Sequence, residues 1–188
     1  MPRCVLIKSG ETEWSDDERM QGCLDVPLCA KGIEQARSEA EMLRDADFHV
    51  VYTTSDRGSR QTAEIIGRTL SKPVKVLKRV REVNLGLWQG MLVGQLRRRH
   101  PRAYNRWMNS PLSVCPPRGE SIAQAGERLG RVLRKLSKKH YKHSFALVCP
   151  PIAGAVVRCL LKGIDLGKVW EVLAESPVSE ACEIPNPR

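Results

Sequence analysis

Hydrophobic positions along this chain follow two alternating rhythms. Short apolar runs occupy 3–8 ("RCVLIK"), 49–53 ("HVVYT"), 74–77 ("VKVL") and 145–149 ("FALVC"), with a weaker one near 178–184. Runs of this length, rich in β-branched and aromatic residues, predict strands. Between them, apolar residues recur at helical spacing over 30–45, 56–70, 93–108, 121–139 and 152–162, and over a short segment near 166–173. The 121–139 segment shows this best. Ile122, Ala125, Leu129, Val132, Leu133 and Leu136 share one face, while Arg131, Arg134, Lys135 and Lys138 occupy the other. Ser121, following "PPRGE", is placed to cap that helix. Such alternation predicts an α/β fold, a three-layer α/β/α sandwich around a mainly parallel sheet. Nothing repeats internally and no linker interrupts the pattern, so one domain over 1–188 is expected. "SPLSVCPPRGE" (110–120) is a long proline-bearing loop within it.

Composition narrows the class. A hydrophobic content of 41% in 188 residues leaves room for a substantial core, and 28% charged residues argue against a membrane-embedded or disordered chain. No apolar run approaches a membrane span, and Lys8 interrupts the first apolar stretch too early for a signal peptide. Seven cysteines, an odd number without Cys-x-x-Cys spacing, argue against a zinc site or a disulfide framework. Reduced thiols and a cytoplasmic location are the expectation.

The net charge of +10 is unevenly spread: residues 71–150 hold 18 Lys and Arg against Glu82, Glu120 and Glu127, a local +15 that leaves −5 elsewhere. Two readings stay open, an anionic partner or solvated helix faces. No nucleic-acid motif accompanies the charge.

In a parallel α/β sheet, ligands bind beyond the carboxyl ends of the strands. That rule gathers "KSG" (8–10), "TTSDRGS" (53–59), "REVNLG" (81–86) and "CPPIAG" (149–154) around one candidate pocket. Three further stretches belong with them: "SGETEW…MQG" after the first strand, "QTA" at 61–63 and "PPRGES" at 116–121. In this order the motifs resemble the histidine phosphatase superfamily, the phosphoglycerate-mutase-like proteins, over nearly the whole chain.

The resemblance implies a phosphate-handling pocket, and there the chain departs from the family. The family's first strand ends in Arg-His-Gly, whose histidine forms a phosphohistidine; the matching triplet here is Lys8-Ser9-Gly10. A second family arginine aligns on Gly58, and a second histidine on Pro150, or on Ala153 in a shifted alignment. An asparagine of the first motif aligns on Ser15. Of the main catalytic set, only the acid, Glu82, is retained.

Each replacement has a chemical meaning. Imidazole is a good nucleophile near neutral pH, whereas a serine hydroxyl needs an adjacent base. A guanidinium fork meets two phosphoryl oxygens together; Lys8 keeps the charge without that geometry, and Gly58 keeps neither. Arg57 and Arg60 flank Gly58 but point about 100° and 200° away on a helix, Arg57 toward the pocket rim. His49 lies at the wrong end of its strand, and His100, His140 and His143 fall in basic surface segments. Cys149 lacks the arginine six residues on that a cysteine phosphatase requires, Ala155 standing there.

Three readings follow. The first is a catalytically degraded superfamily member, a binding or regulatory module holding an anionic or phosphorylated small molecule through Lys8, Ser9, Ser15 and the Gly10 N–H. The second is a phosphomonoester phosphatase of altered chemistry using Ser9 and Glu82. The third is a polyanion or nucleic-acid binder using the basic 71–150 region. No metal or cofactor is implied, and the oligomeric state is left open.

Overall fold

The structure, a computed structural model, describes residues 3–184; residues 1–2 and 185–188 of the expected domain lie outside that range. Its strands are β1 (Arg3–Lys8), β2 (Val51–Thr53), β3 (Val74–Val76), β4 (Phe145–Cys149) and β5 (Ser179–Glu183). Its helices are α1 (Glu13–Asp16), α2 (Ala30–Met42), α3 (Arg57–Thr69), α4 (Val93–Arg99), α5 (Pro101–Asn109), α6 (Ile122–Lys139), α7 (Pro151–Lys162) and α8 (Val169–Glu175). Strand order is β3-β2-β4-β1-β5, with β5 alone antiparallel to its neighbour. The fold is α/β with a mostly parallel mixed sheet.

Strand alternation divides the core between two faces. Val5, Ile7, Ala146 and Val148 point to one side, where Ala40 of α2 and Ala63 and Ile66 of α3 cover them. Leu6, Tyr52, Phe145 and Leu147 point to the other, against Ile122, Ala125 and Leu129 of α6 and Val156 of α7. Each such aliphatic or aromatic side chain contributes about 1.5–3 kcal/mol on burial. This is the expected three-layer sandwich.

Side chains set several helix starts. Asp56 Oδ1 accepts the Ser59 N–H at 2.9 Å at the head of α3. Ser121 and Gln124 form a reciprocal capping box on α6, with bonds of 3.2 and 2.8 Å. Helix α7 differs, because its N-cap is Pro150, which offers no side-chain acceptor.

The sequence reading is corrected at two places. The helix expected over 93–108 is two helices, α4 and α5, broken at His100 with φ −134° and ψ 55°. Pro101 cannot continue a helix but can begin one, and it restricts the residue before it. His140, expected on the surface, is buried, with Nε2 2.9 Å from the Tyr52 hydroxyl. His49 and His143 lie beside it, ring centroids 5.1 Å from His49 to His140 and 5.5 Å from His49 to His143.

Candidate functional site

Beyond the carboxyl ends of β1, β2 and β4 lies a cavity of about 240 Å³. All four candidate segments reach it: Ser9 and Gly10 after β1, Asp56 and Gly58 at the head of α3, Glu82 and Leu85, and Pro150 to Ile152. Ser15 of α1 lines it as well; Lys8 does not. Lys8 is exposed and faces a separate cavity of about 60 Å³, which shares only Ser9 and Gly10 with the first.

The turn after β1 was expected to offer main-chain N–H groups to an anion. Those groups are engaged inside the protein. Ser9 N–H donates to Cys149 O at 2.9 Å, Gly10 N–H to Thr62 Oγ1 at 3.1 Å, and Glu11 N–H to Gln35 Oε1 at 2.9 Å. Thr12 N–H donates to Ser15 Oγ at 3.0 Å. A nest binds anions only while its donors are free, so Ser15 serves the turn and Gly10 N–H serves α3.

Gly58 lets α3 lie close against the preceding loops. A Cβ there would stand 3.3 Å from both Thr12 Cγ2 and Val26 O. Arg57 and Arg60 do not line the cavity: both side chains are exposed, and Arg60 pairs with Glu64 at 3.5 Å.

Glu82 meets α7. Its Oε1 accepts the N–H of Val83 and of Ala153, both at 2.7 Å, and its Oε2 accepts the Ile152 N–H at 2.9 Å. The carboxylate thus supplies the cap that Pro150 cannot: Pro150 and Pro151 have no N–H, the Gly154 N–H donates to Pro150 O, and the two open donors of the helix start, Ile152 and Ala153, both go to Glu82. Burial pushes its pKa up to about 7, with nearby Asp56 acting the same way and the three N–H donors opposing. Neither Arg79 nor Arg81 pairs with it; Arg81 goes instead to Glu120 at 3.0 Å.

One residue of the site was missed by sequence reasoning, and another was gathered only as part of "TTSDRGS". Arg19 reaches the cavity because its Nη1 donates to Gly90 O at 2.9 Å, with its guanidinium 5.8 Å from the Trp14 ring centroid. Asp56 lines the same cavity while capping α3, and Thr54 donates its hydroxyl to it. The signal for Arg19 was only its place in the loop after β1; its seat depends on the Arg19–Leu92 bridge, a contact distant in sequence. Among the described residues, no histidine lines the cavity and Arg19 is its one guanidinium. No group of three or more His, Cys, Asp or Glu there is placed to hold a metal ion.

The family model for the histidine phosphatase superfamily (branch 1) matches residues 4–179. This chain belongs to the histidine phosphatase superfamily. Among superfamily relatives, it is 31% identical over 172 residues to phosphoserine phosphatase 1 of Hydrogenobacter thermophilus, covering 90% of this chain and 81% of that protein. It superposes on Bacillus stearothermophilus YhfR with a TM-score of 0.85 at 26% identity, over 94% of this chain and 85% of the other. A mycobacterial glucosyl-3-phosphoglycerate phosphatase complexed with VO3 gives a TM-score of 0.83 at 26% identity, covering 90% and 86%. Within the cavity no imidazole stands beside the Ser9 hydroxyl to take its proton.

Proposed function

We propose that this chain is a superfamily member that has given up phosphohistidine transfer and acts as a non-catalytic binding or regulatory module. The observation that carries the reading is the engagement of Glu82. The acid that would protonate a leaving group is held by three main-chain N–H groups, two of them at the start of α7. Ser9 in the nucleophile position and glycine at 58 point the same way, since losing one preorganised charge-stabilising donor typically costs about 10²–10³ in rate.

The ligand class that fits this reading is a small anion, the class to which the phosphatase names of the relatives point. Its anchor is Arg19 rather than Lys8 or the Gly10 N–H, because only Arg19 brings a guanidinium to the cavity. The test is turnover of p-nitrophenyl phosphate and phosphoserine by purified protein. We expect none above the level of Ser9→Ala. Turnover comparable to active relatives, abolished by Ser9→Ala or Glu82→Gln, overturns the reading in favour of altered phosphatase chemistry.

A second reading, a polyanion-binding surface, is favoured by α4 and α5. Arg97, Arg98, Arg99, Arg102 and Arg106 are exposed on them, and no Asp or Glu occurs between Glu82 and Glu120. Binding of this kind weakens steeply with added salt. Retention on immobilised heparin that falls away as salt rises supports it; no retention at low salt ends it.

A further inference from the structure

Glu39 occupies a helical register that calls for an apolar residue. It lies on the inward stripe of α2 with Gly32, Ala36 and Ala40, and is 1% exposed. Neither of its carboxylate oxygens receives a hydrogen bond from any described residue. A carboxylate removed from water without a partner is among the costliest groups a core can hold.

This carboxylate lines the smaller cavity, about 60 Å³, together with Lys8, Ser9, Glu11, Gln35 and Thr62. Most of those groups are already committed. Gln35 Nε2 donates to Glu11 Oε1 at 2.8 Å, and Lys31 pairs with Glu11 Oε2 at 2.9 Å. The Thr62 hydroxyl accepts from Gly10 N–H and donates to Gly58 O. The acceptors left are the Glu39 oxygens, with the Ser9 hydroxyl beside them. They are hard oxygen donors without a hydrogen-bonding partner among the described residues, and Lys8 on the same wall is the resident cation that competes for them. Calcium collects six to eight oxygens, usually with several carboxylates, and this wall does not offer them. An alkali-metal ion or an ammonium group asks for less, and the space suits a small ion with a few waters.

We propose that the Glu39 cavity is a binding site for a small monovalent cation, an alkali-metal ion or a primary ammonium group. Ser9 and Gly10 form the wall between it and the larger cavity, so an occupant here stiffens the site described above.

The test is thermal unfolding in the chlorides of sodium, potassium, ammonium, methylammonium and tetramethylammonium at matched ionic strength. Tetramethylammonium is too large for the cavity and serves as the reference. Wild type is expected to melt about 2–4 °C higher in at least one small-cation salt near saturation. A shift with sodium or potassium names an inorganic ion, and one confined to ammonium and methylammonium names an amine. Glu39→Gln, or Glu39→Leu should the amide fail to fold, is expected to melt alike in all five. Three results overturn the proposal: one melting temperature for wild type in every salt, a salt dependence that survives in the Glu39 variants, or a dependence seen only in Lys8→Met. The last identifies the Lys8 ammonium as the resident cation.

Discussion

Glu82 and Ala153, separated by 71 positions in the chain, are joined by a 2.7 Å hydrogen bond from the Ala153 N–H to Glu82 Oε1. This bond ties "REVNLG" to the helix that follows β4, and it gives α7 a cap supplied from outside. Glu82→Ala leaves two helix-start donors and the Val83 N–H unpaired in a buried place. We expect a loss of about 2–3 kcal/mol in urea unfolding, the range for hydrogen bonds to a charged acceptor. Pro150→Ser restores a local cap and is expected to recover about 0.5–1 kcal/mol in the Glu82→Ala background. Near wild type the same change does little, and the coupling in the double-mutant cycle is the measurement.

Two buried groups pull the pH dependence of stability in opposite directions. Burial raises Glu82 from 4.5 to about 7, so the folded protein holds that proton more tightly than the unfolded chain. Its contribution is complete below the unfolded value and is lost as pH rises through about 7. Burial lowers His140 from 6.5 to about 4, aided by the charges of His49, Lys139, His143 and Lys75. Its contribution is complete above the unfolded value and is lost as pH falls through about 4. Melting curves should therefore show Glu82→Gln losing stability more steeply than wild type on acidification below pH 6.5. His140→Gln should instead gain stability as pH falls from about 7 toward 4.5.

Placing an arginine at position 58 carries a steric penalty. Thr12 Cγ2 and Val26 O stand 3.3 Å from where its Cβ would be, and Val26 O is backbone. Gly58→Arg should destabilise by about 1–3 kcal/mol, the range for overpacking. Chemical denaturation reads this directly. A combined Lys8→Arg, Ser9→His, Gly58→Arg and Pro150→His variant, which tests the proposed loss of phosphohistidine transfer, has to overcome that cost before any rate appears.

The loop before α6 docks through Glu120. Its carboxylate accepts from Arg128 at 2.6 Å, Arg81 at 3.0 Å and the Asn84 N–H at 3.0 Å. Glu120→Gln leaves the Arg128 guanidinium largely buried without its countercharge, and a loss of about 3–5 kcal/mol is expected in urea unfolding. Gly86 lies in the same junction, with φ +53° and a hypothetical Cβ 2.1 Å from Pro117 O. Gly86→Ala should lower the melting temperature, because both the left-handed backbone and the contact forbid a side chain.

Local periodicity is a property of neighbours in the chain, which is why β1, β4, α6 and α7 could be read close to their ends. The same reading ran one helix through His100, because Leu96 and Trp107 both point inward and keep the apolar period alive across the break. Proline was visible there; that it starts a new helix rather than bending an old one depends on what the two pieces pack against.

The amino-acid order alone determined the α/β layering and the segments that meet at the strand ends. Those follow from spacing and residue type, which short-range sterics and hydrophobic burial convert into elements. Only the tertiary structure decided where individual groups went: Glu82 to α7, the Gly10 N–H to Thr62, Arg19 to the cavity and Lys8 away from it. Three of those outcomes are contacts between groups distant in the chain, Glu82 with Ile152 and Ala153, Gly10 with Thr62 and Arg19 with Gly90, while the buried Glu39 carboxylate has no hydrogen-bonding partner among the described residues.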